Sequence, residues 1–120
     1  MNFLIMLKII VFVFIFYRPF YLLENPIILK DKISVIIPTY NRGNSVIKSI
    51  NSILMQTYQN LEIIVIDDCS IDDTESLISE LNDNRIKYIK LKENKGANFA
   101  RNIGINLATG KYFNYVHILH

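Results

Sequence analysis

The chain has 120 residues, of which 51% are hydrophobic and 20% are charged, and its formal net charge is +2 at neutral pH. That length suits one domain, and this balance is typical of a globular or membrane-attached protein. No basic stripe or cluster stands out, so the charge pattern does not favour nucleic-acid binding. Cys69 is the single cysteine of the sequence, which excludes an internal disulfide.

The N-terminal segment is apolar at residues 1–17, apart from Asn2 and Lys8. As a helix this stretch spans about 26 Å, close to the shortest length that crosses a bilayer. We therefore expect residues 1–20 to be a hydrophobic helix that serves as an uncleaved membrane anchor, because residues 18–23 lack the small side chains of a cleavage site. A signal-like segment and a segment packed on the domain are the two alternatives.

Basic residues follow the apolar segment and bear on its orientation. Arg18, Lys30 and Lys32 lie on its C-terminal side. The positive-inside rule then predicts a single-pass membrane protein whose domain lies on the cytoplasmic side. We expect residues 21–31 to be a linker and residues 32–120 to form the domain.

Apolar runs alternate with segments of helical periodicity over residues 32–120, which predicts an α/β fold with a Rossmann-like parallel sheet and alternating helices. We expect Pro38 to end the first strand, because proline cannot donate to a central ladder. The expected strands lie at residues 32–37, from 61 to the acidic pair at 67–68, at 85–91 and at 112–119.

The ends of the expected helices carry residues that favour capping. Residues 43–45 offer an N-cap for the first helix, and Asp72 with Glu75 resembles a capping box at the second. Gly110 is the expected C-terminal stop of the third helix. That third helix is expected to face the sheet with Ala100, Ile103, Gly104 and Leu107.

Polar residues follow the first two strands at their carboxyl ends, where ligands bind in open α/β sheets. Tyr40 follows the first strand, and its aromatic ring can stack on a nucleobase. Asp67 and Asp68 follow the second strand. Because adjacent strand residues point in opposite directions, we expect one of these two carboxylates to face a ligand and the other to hold backbone. An Asx-type turn without any ligand is the alternative for this pair.

Four ordered motifs resemble the start of a family 2 glycosyltransferase: SVIIPTYNR at 34–42, LEIIVIDDCS at 61–70, ENKGANFARN at 93–102 and ATGKY at 108–112. The resemblance covers about residues 32–115. It implies a GT-A fold and a nucleotide-diphospho-sugar donor, with a UDP-sugar favoured. It also implies a divalent metal, magnesium or manganese, as the usual cofactor.

The resemblance assigns roles to particular positions. Asp68 is expected to contact the base, Pro38 and Thr39 to shape the floor of the pocket, and Arg101 to reach the diphosphate or the sugar. Gly96 lets the backbone approach the donor. The complete set of expected nucleotide-sugar-binding residues is Pro38, Thr39, Tyr40, Asn41, Asp67, Asp68, Gly96 and Arg101.

The metal and the general base are not accounted for by these motifs. The family holds its metal with an Asp-X-Asp motif after the strand that follows Gly-Lys-Tyr, whereas this sequence has His117 near the first position and ends at His120. Because a hard magnesium ion prefers oxygen ligands, we expect no metal site at these histidines.

The family takes its general base from a downstream region. The sequence therefore predicts a truncated domain, the donor-nucleotide-binding half of a sugar transferase. A catalytically inactive nucleotide-binding or interaction module at a membrane is the alternative.

Overall fold

The computed structural model describes residues 31–118, which form one four-stranded sheet and three helices. The strands run in the order β3-β2-β1-β4, and each neighbouring pair is parallel. This arrangement confirms the predicted α/β fold with a parallel sheet. The elements in chain order are β1 (Ile33–Thr39), α1 (Gly43–Leu54), β2 (Leu61–Asp67), α2 (Thr74–Leu81), β3 (Ile86–Lys90), α3 (Ala97–Leu107) and β4 (Tyr112–Tyr115).

The expected membrane anchor at residues 1–20 lies outside the described residues, as does the linker at 21–31 except for Asp31. Within residues 31–118, no helix has both the length and the apolar character needed to cross a bilayer.

The two central strands, β1 and β2, owe their burial to nearly continuous β-branched residues, as expected for strands covered on both faces. Side chains alternate across the sheet, so Val35 and Ile37 join one apolar cluster with Val46 and Ile50 of α1. Ile36 points to the opposite face and joins a second cluster with α3. The sheet is therefore the middle layer between two helical layers.

Pro38 does not end β1, contrary to the sequence-based expectation, because the strand continues to Thr39. The carbonyl of Ile36 accepts a hydrogen bond from the Val116 amide at 2.9 Å, so the backbone groups of Ile36 point toward β4. Because this direction repeats every second residue of a strand, the nitrogen of Pro38 also points toward β4. β4 itself ends at Tyr115, earlier than expected. Because the proline nitrogen points toward β4, the hydrogen bonds between β1 and β2 do not need it, and the strand continues through Pro38.

The helix caps also differ from the capping residues expected from the sequence. Helix α2 begins at Thr74, and the Asp72 carboxylate accepts hydrogen bonds from the Thr74 amide and, at 3.1 Å, from the Gly43 amide at the start of α1. One side chain thus serves two helix N-termini. Glu75 does not reach back as in a capping box but pairs with Lys90 of β3 at 3.3 Å.

Helix α3 packs on the sheet through its two small buried residues, Ala100 and Gly104. A Cβ atom at position 104 would overlap the Cγ2 atom of Ile36, so the glycine allows the helix to approach β1 closely. Leu107 was expected on this face, but it is 43% exposed.

Gly110 is not the C-terminal cap of α3, contrary to the expectation, because the helix ends at Leu107 with Ala108 in an extended conformation. A Cβ atom at position 110 would lie 2.7 Å from both the Lys32 carbonyl oxygen and the Ser34 Oγ atom. The glycine is therefore needed where the chain passes close to β1 before it enters β4.

Candidate functional site

A cleft with a volume of about 300 Å³ opens at the carboxyl edge of the sheet. It lies between the ends of β1 and β2, the start of α3 and the residues that follow β4. Its volume is at the lower end of the range for small-molecule sites. Five of the eight site residues expected from the sequence line it: Pro38, Thr39, Tyr40, Asp68 and Gly96.

Asp68 connects the end of β2 to the loop before α3. Its side chain accepts two backbone hydrogen bonds, from the Lys95 amide to Oδ1 at 2.7 Å and from the Gly96 amide to Oδ2 at 2.8 Å. Gly96 has a φ of 93°, a left-handed conformation that favours glycine. The carboxylate therefore fixes the turn that begins α3 and borders the cleft. Each oxygen retains a second lone pair that a ligand donor can use.

Asp67 lies on the opposite face of the sheet, as the alternation of strand side chains predicts. It is fully buried, its Oδ1 accepts the Ser70 amide at 2.8 Å, and its Oδ2 accepts the Tyr88 hydroxyl. Burial and this hydrogen bond raise the pKa of Tyr88 above its ordinary value. Asp67 is thus engaged with the protein, and its bond to Ser70 is the turn contact that was the alternative to a ligand site.

Asn41 joins two loops at the carboxyl edge and is not among the residues that line the cleft. Its amide donates to Ser70 Oγ at 2.8 Å, and its side-chain oxygen accepts the Ile71 amide at 2.8 Å. Its φ of 50° is a left-handed conformation, which asparagine adopts more readily than most residues. Asn41 therefore holds the ends of β1 and β2 together, beside the cleft.

Arg101 does not reach the cleft in this structure. Its guanidinium lies over the Tyr115 ring, with the Cζ atom 4.5 Å from the ring centroid, and donates a hydrogen bond to Asn98 Oδ1. Both contacts hold the side chain along α3 and toward β4. Its expected contact with a diphosphate or sugar stays a prediction.

Six further residues line the cleft that the sequence did not single out as nucleotide contacts: Arg42, Asn94, Ala97, Ala100, His117 and Ile118. Arg42 is the last residue of the motif at 34–42, and Asn94 lies within the motif at 93–102, so membership of these motifs is the signal that could have found them. His117 reaches the cleft because β4 pairs with β1, a neighbour relation that only the folded sheet establishes.

The described residues do not fit a divalent metal. Within residues 31–118 there is no cluster of three or more His, Cys, Asp or Glu side chains that could hold one. Asp68 and His117 are the two side chains of these types that line the cleft among the described residues. Magnesium in proteins is held by one or two carboxylates together with waters and substrate phosphates, and both oxygens of Asp68, the single carboxylate among these residues, already accept backbone amides.

A parallel sheet with helices on both faces and a cleft past the carboxyl ends of its central strands defines a Rossmann-like α/β domain with a ligand site at that edge. The comparison with known families is more specific. Residues 34–117 match the model of glycosyl transferase family 2, and the chain belongs to that family.

Relatives and solved structures agree with this assignment. An uncharacterized glycosyltransferase of Rickettsia conorii is 50% identical over 91 residues, which is 74% of this chain and 15% of that protein. The crystal structure of Staphylococcus aureus TarS 1-349 in complex with UDP-GlcNAc superposes with a TM-score of 0.64 at 32% identity, over 71% of this chain and 26% of that one.

A second structure is the mannosyltransferase PcManGT of Pyrobaculum calidifontis in complex with GDP-Man and Mn²⁺, with a TM-score of 0.62 at 25% identity. It covers 89% of this chain and 35% of that one. These likenesses confirm the GT-A type of fold. The chain spans about 15% of the length of the Rickettsia relative and about a quarter to a third of these solved chains.

Proposed function

We propose that this chain forms the donor-binding part of a glycosyltransferase that transfers a sugar from a nucleotide-diphospho-sugar, with a UDP-sugar as the favoured donor. The observation that carries the proposal is the cleft at the carboxyl edge, where the Asp68 carboxylate and the Tyr40 ring border the same space. The similar TarS structure is a complex with UDP-GlcNAc, and the similar PcManGT structure is a complex with GDP-Man. Those ligands support a nucleotide-sugar in the corresponding cleft of this chain.

The chemistry of the lining residues suits a nucleoside. Tyr40 is 44% exposed and lines the cleft, so part of its ring is available for a base to stack on. Asp68 accepts two backbone amides and still has lone pairs for a base N–H or a ribose hydroxyl. Because the two backbone bonds hold the carboxylate in place, the ligand contact costs little side-chain entropy.

Sugar transfer needs more than donor binding, because a general base must take the proton of the acceptor hydroxyl. Among the described residues that line the cleft, Asp68 is the single carboxylate, and it is engaged by two amides. Donor binding is therefore the activity to test in this chain, and transfer is tested separately with an acceptor.

The test is calorimetric titration of the full chain, in detergent, with UDP and with GDP. We expect Tyr40→Ala to weaken UDP binding about tenfold through lost stacking, and Asp68→Ala about tenfold through a lost charged acceptor. Tyr40→Phe keeps the ring and should bind like the wild type. Glu80→Ala is the matched acidic control, because Glu80 is an exposed residue of α2 outside the cleft.

The variants separate the outcomes. Equal UDP affinity in the wild type, Tyr40→Ala and Asp68→Ala would remove the site assignment. A preference for GDP over UDP would keep the site and change the donor. Far-UV circular dichroism of each variant shows whether the start of α3 persists without the Asp68 carboxylate.

We also propose that the apolar segment at residues 1–17 attaches the domain to a membrane, with the domain on the cytoplasmic side. Its composition and the basic residues that follow it support the proposal. The test is carbonate extraction of membranes from cells that express the chain, followed by protease digestion of intact right-side-out spheroplasts. Release into the carbonate supernatant would overturn the attachment, and protection of the domain in right-side-out spheroplasts is the result expected.

A further inference from the structure

The ionisable side chains of the cleft come from the ends of three strands. Arg42 follows β1, Asp68 follows β2, and His117 follows β4. Asp68 is an acceptor-only carboxylate, so it cannot donate a hydrogen bond to a phosphate. Arg42 is the cationic side chain among the described residues that line the cleft, and His117 adds a ring N–H that can donate to a ligand.

The position of His117 is set by the sheet. Tyr115 is in register with Ile36 of β1, and the next residue, Val116, donates its amide to the Ile36 carbonyl at 2.9 Å. His117 then leaves the strand beside the end of β1, where Pro38 lines the cleft. The imidazole also meets the Tyr115 ring edge-on, with a centroid distance of 5.5 Å. This contact steadies the imidazole at the mouth of the cleft.

A diphosphate needs compensation for its negative charge wherever it binds. Proteins supply it with a divalent cation or with arginine, lysine and protonated histidine. The described residues hold no cluster that fits a divalent cation, as shown above. Arginine is well suited to the alternative, because its planar fork donates two hydrogen bonds to one phosphate.

We propose that this chain binds the diphosphate of its nucleotide without a divalent metal, and that His117 and Arg42 contact the phosphates. The inference rests on the proposed donor-binding function, and it departs from the metal dependence that the family resemblance implies. His117 and Arg42 are binding residues in this proposal, and both line the cleft.

The first experiment compares uridine, UMP and UDP by calorimetric titration of the full chain, each in EDTA and in manganese chloride. We expect UDP to bind about tenfold more tightly than uridine in EDTA, because charged hydrogen bonds to phosphate add affinity. We expect manganese to change the UDP affinity less than about twofold, since no described cluster binds it.

The second experiment uses variants in EDTA. His117→Ala and Arg42→Ala should each weaken UDP binding about tenfold while uridine binding changes less than about twofold. His117→Gln keeps a hydrogen-bond donor of similar reach, so its UDP affinity should fall between those of the wild type and His117→Ala. Lys48→Ala is the matched cation control, because Lys48 is exposed on α1 and does not line the cleft. Both cleft residues are exposed, so circular dichroism should show unchanged folding.

The outcomes distinguish this inference from the proposed function. If uridine, UMP and UDP all fail to bind in both buffers, the proposed function fails. If uridine and UDP bind equally, or UDP gains affinity only with manganese, the nucleotide site stands and the metal-free phosphate contact is overturned. If UDP affinity is unchanged in both alanine variants, the assignment of His117 and Arg42 is wrong.

Discussion

Glu62 is a buried carboxylate at the start of β2, far along the sheet from the cleft, and it is 2% exposed. Its Oε1 accepts hydrogen bonds from Ser34 Oγ and the Thr109 amide, both at 2.6 Å, and from Thr109 Oγ1 at 2.9 Å. Its Oε2 pairs with Lys87 at 2.7 Å and with Lys32 at 3.5 Å. One side chain thus connects β1, β2, β3 and the loop that leads into β4.

Glu62→Gln removes the charge and keeps the shape. The new amide oxygen can still accept from Ser34 and Thr109, but the amide nitrogen meets the Lys87 ammonium and cannot accept from it. Breaking a fully buried ion pair costs about 3–5 kcal/mol. Because the Lys87 side chain is 47% exposed and water solvates it, we expect a smaller loss of unfolding free energy, about 2 kcal/mol.

The same carboxylate makes stability depend on pH. Burial raises its pKa, but hydrogen bonds from Lys87, Ser34 and Thr109 outweigh burial and hold the pKa of Glu62 well below its ordinary 4.5. The unfolded chain therefore takes up this proton at a higher pH than the native chain does. The stabilisation is complete above the unfolded pKa and is lost as pH falls through the native one.

The measurement is urea unfolding of the full chain followed by far-UV circular dichroism, at neutral pH and at about pH 3. The wild type should exceed Glu62→Gln by about 2 kcal/mol at neutral pH, and the gap should shrink in acid. Lys87→Gln is the control and should cost about 1 kcal/mol, since Lys32 and the hydrogen bonds remain. Equal stability at neutral pH, or a gap unchanged in acid, would refute this reasoning.

Three further substitutions test the packing around the sheet by the same unfolding assay. Gly104→Ala places a methyl group against Ile36 and should cost about 1–3 kcal/mol, whereas no loss would show that α3 can shift outward. Asn82 ends α2 with a φ of 47°, a left-handed conformation that alanine adopts at a cost and glycine adopts freely. Asn82→Ala should therefore lower the free energy of unfolding by about 1 kcal/mol, and Asn82→Gly should lower it less. Equal losses in the two variants would contradict a conformational cause. Tyr88→Phe leaves one oxygen of buried Asp67 without its hydroxyl donor, so it should lower the free energy of unfolding by about 2 kcal/mol. An unchanged free energy of unfolding would mean that water replaces the donor.

The candidate site was predictable where it rests on strand alternation and on motif residues. Asp67 and Asp68 are adjacent and chemically alike, and the period of two alone indicates that they face opposite layers. The structure shows that Asp68 is the carboxylate on the side of the cleft, because Asp68 accepts the amides of Lys95 and Gly96. Those partners are about 27 residues away along the chain, beyond the reach of local pattern.

Other residues were misplaced because their roles depend on neighbours in space. Asp72 was expected to cap its own helix, but it also bonds to Gly43, which the packing of α1 beside α2 brings within reach. Pro38 was expected to end β1, but its nitrogen points toward β4, so the pairing with β2 continues to Thr39. The guanidinium of Arg101 packs on the Tyr115 ring of β4, a contact that the sequence pattern does not indicate, and its expected contact with the ligand stays a prediction.

By itself, the sequence determined the succession of strands and helices, because β-branched runs and helical apolar periods are local properties of the chain. It also determined the family, since the ordered motifs at residues 34–42 and 61–70 are continuous in sequence. Only the tertiary structure decided the strand order β3-β2-β1-β4, and with it the arrival of His117 at the end of β1. Strand order depends on which surfaces pack in space, and contacts between distant segments leave no periodic signal in the chain.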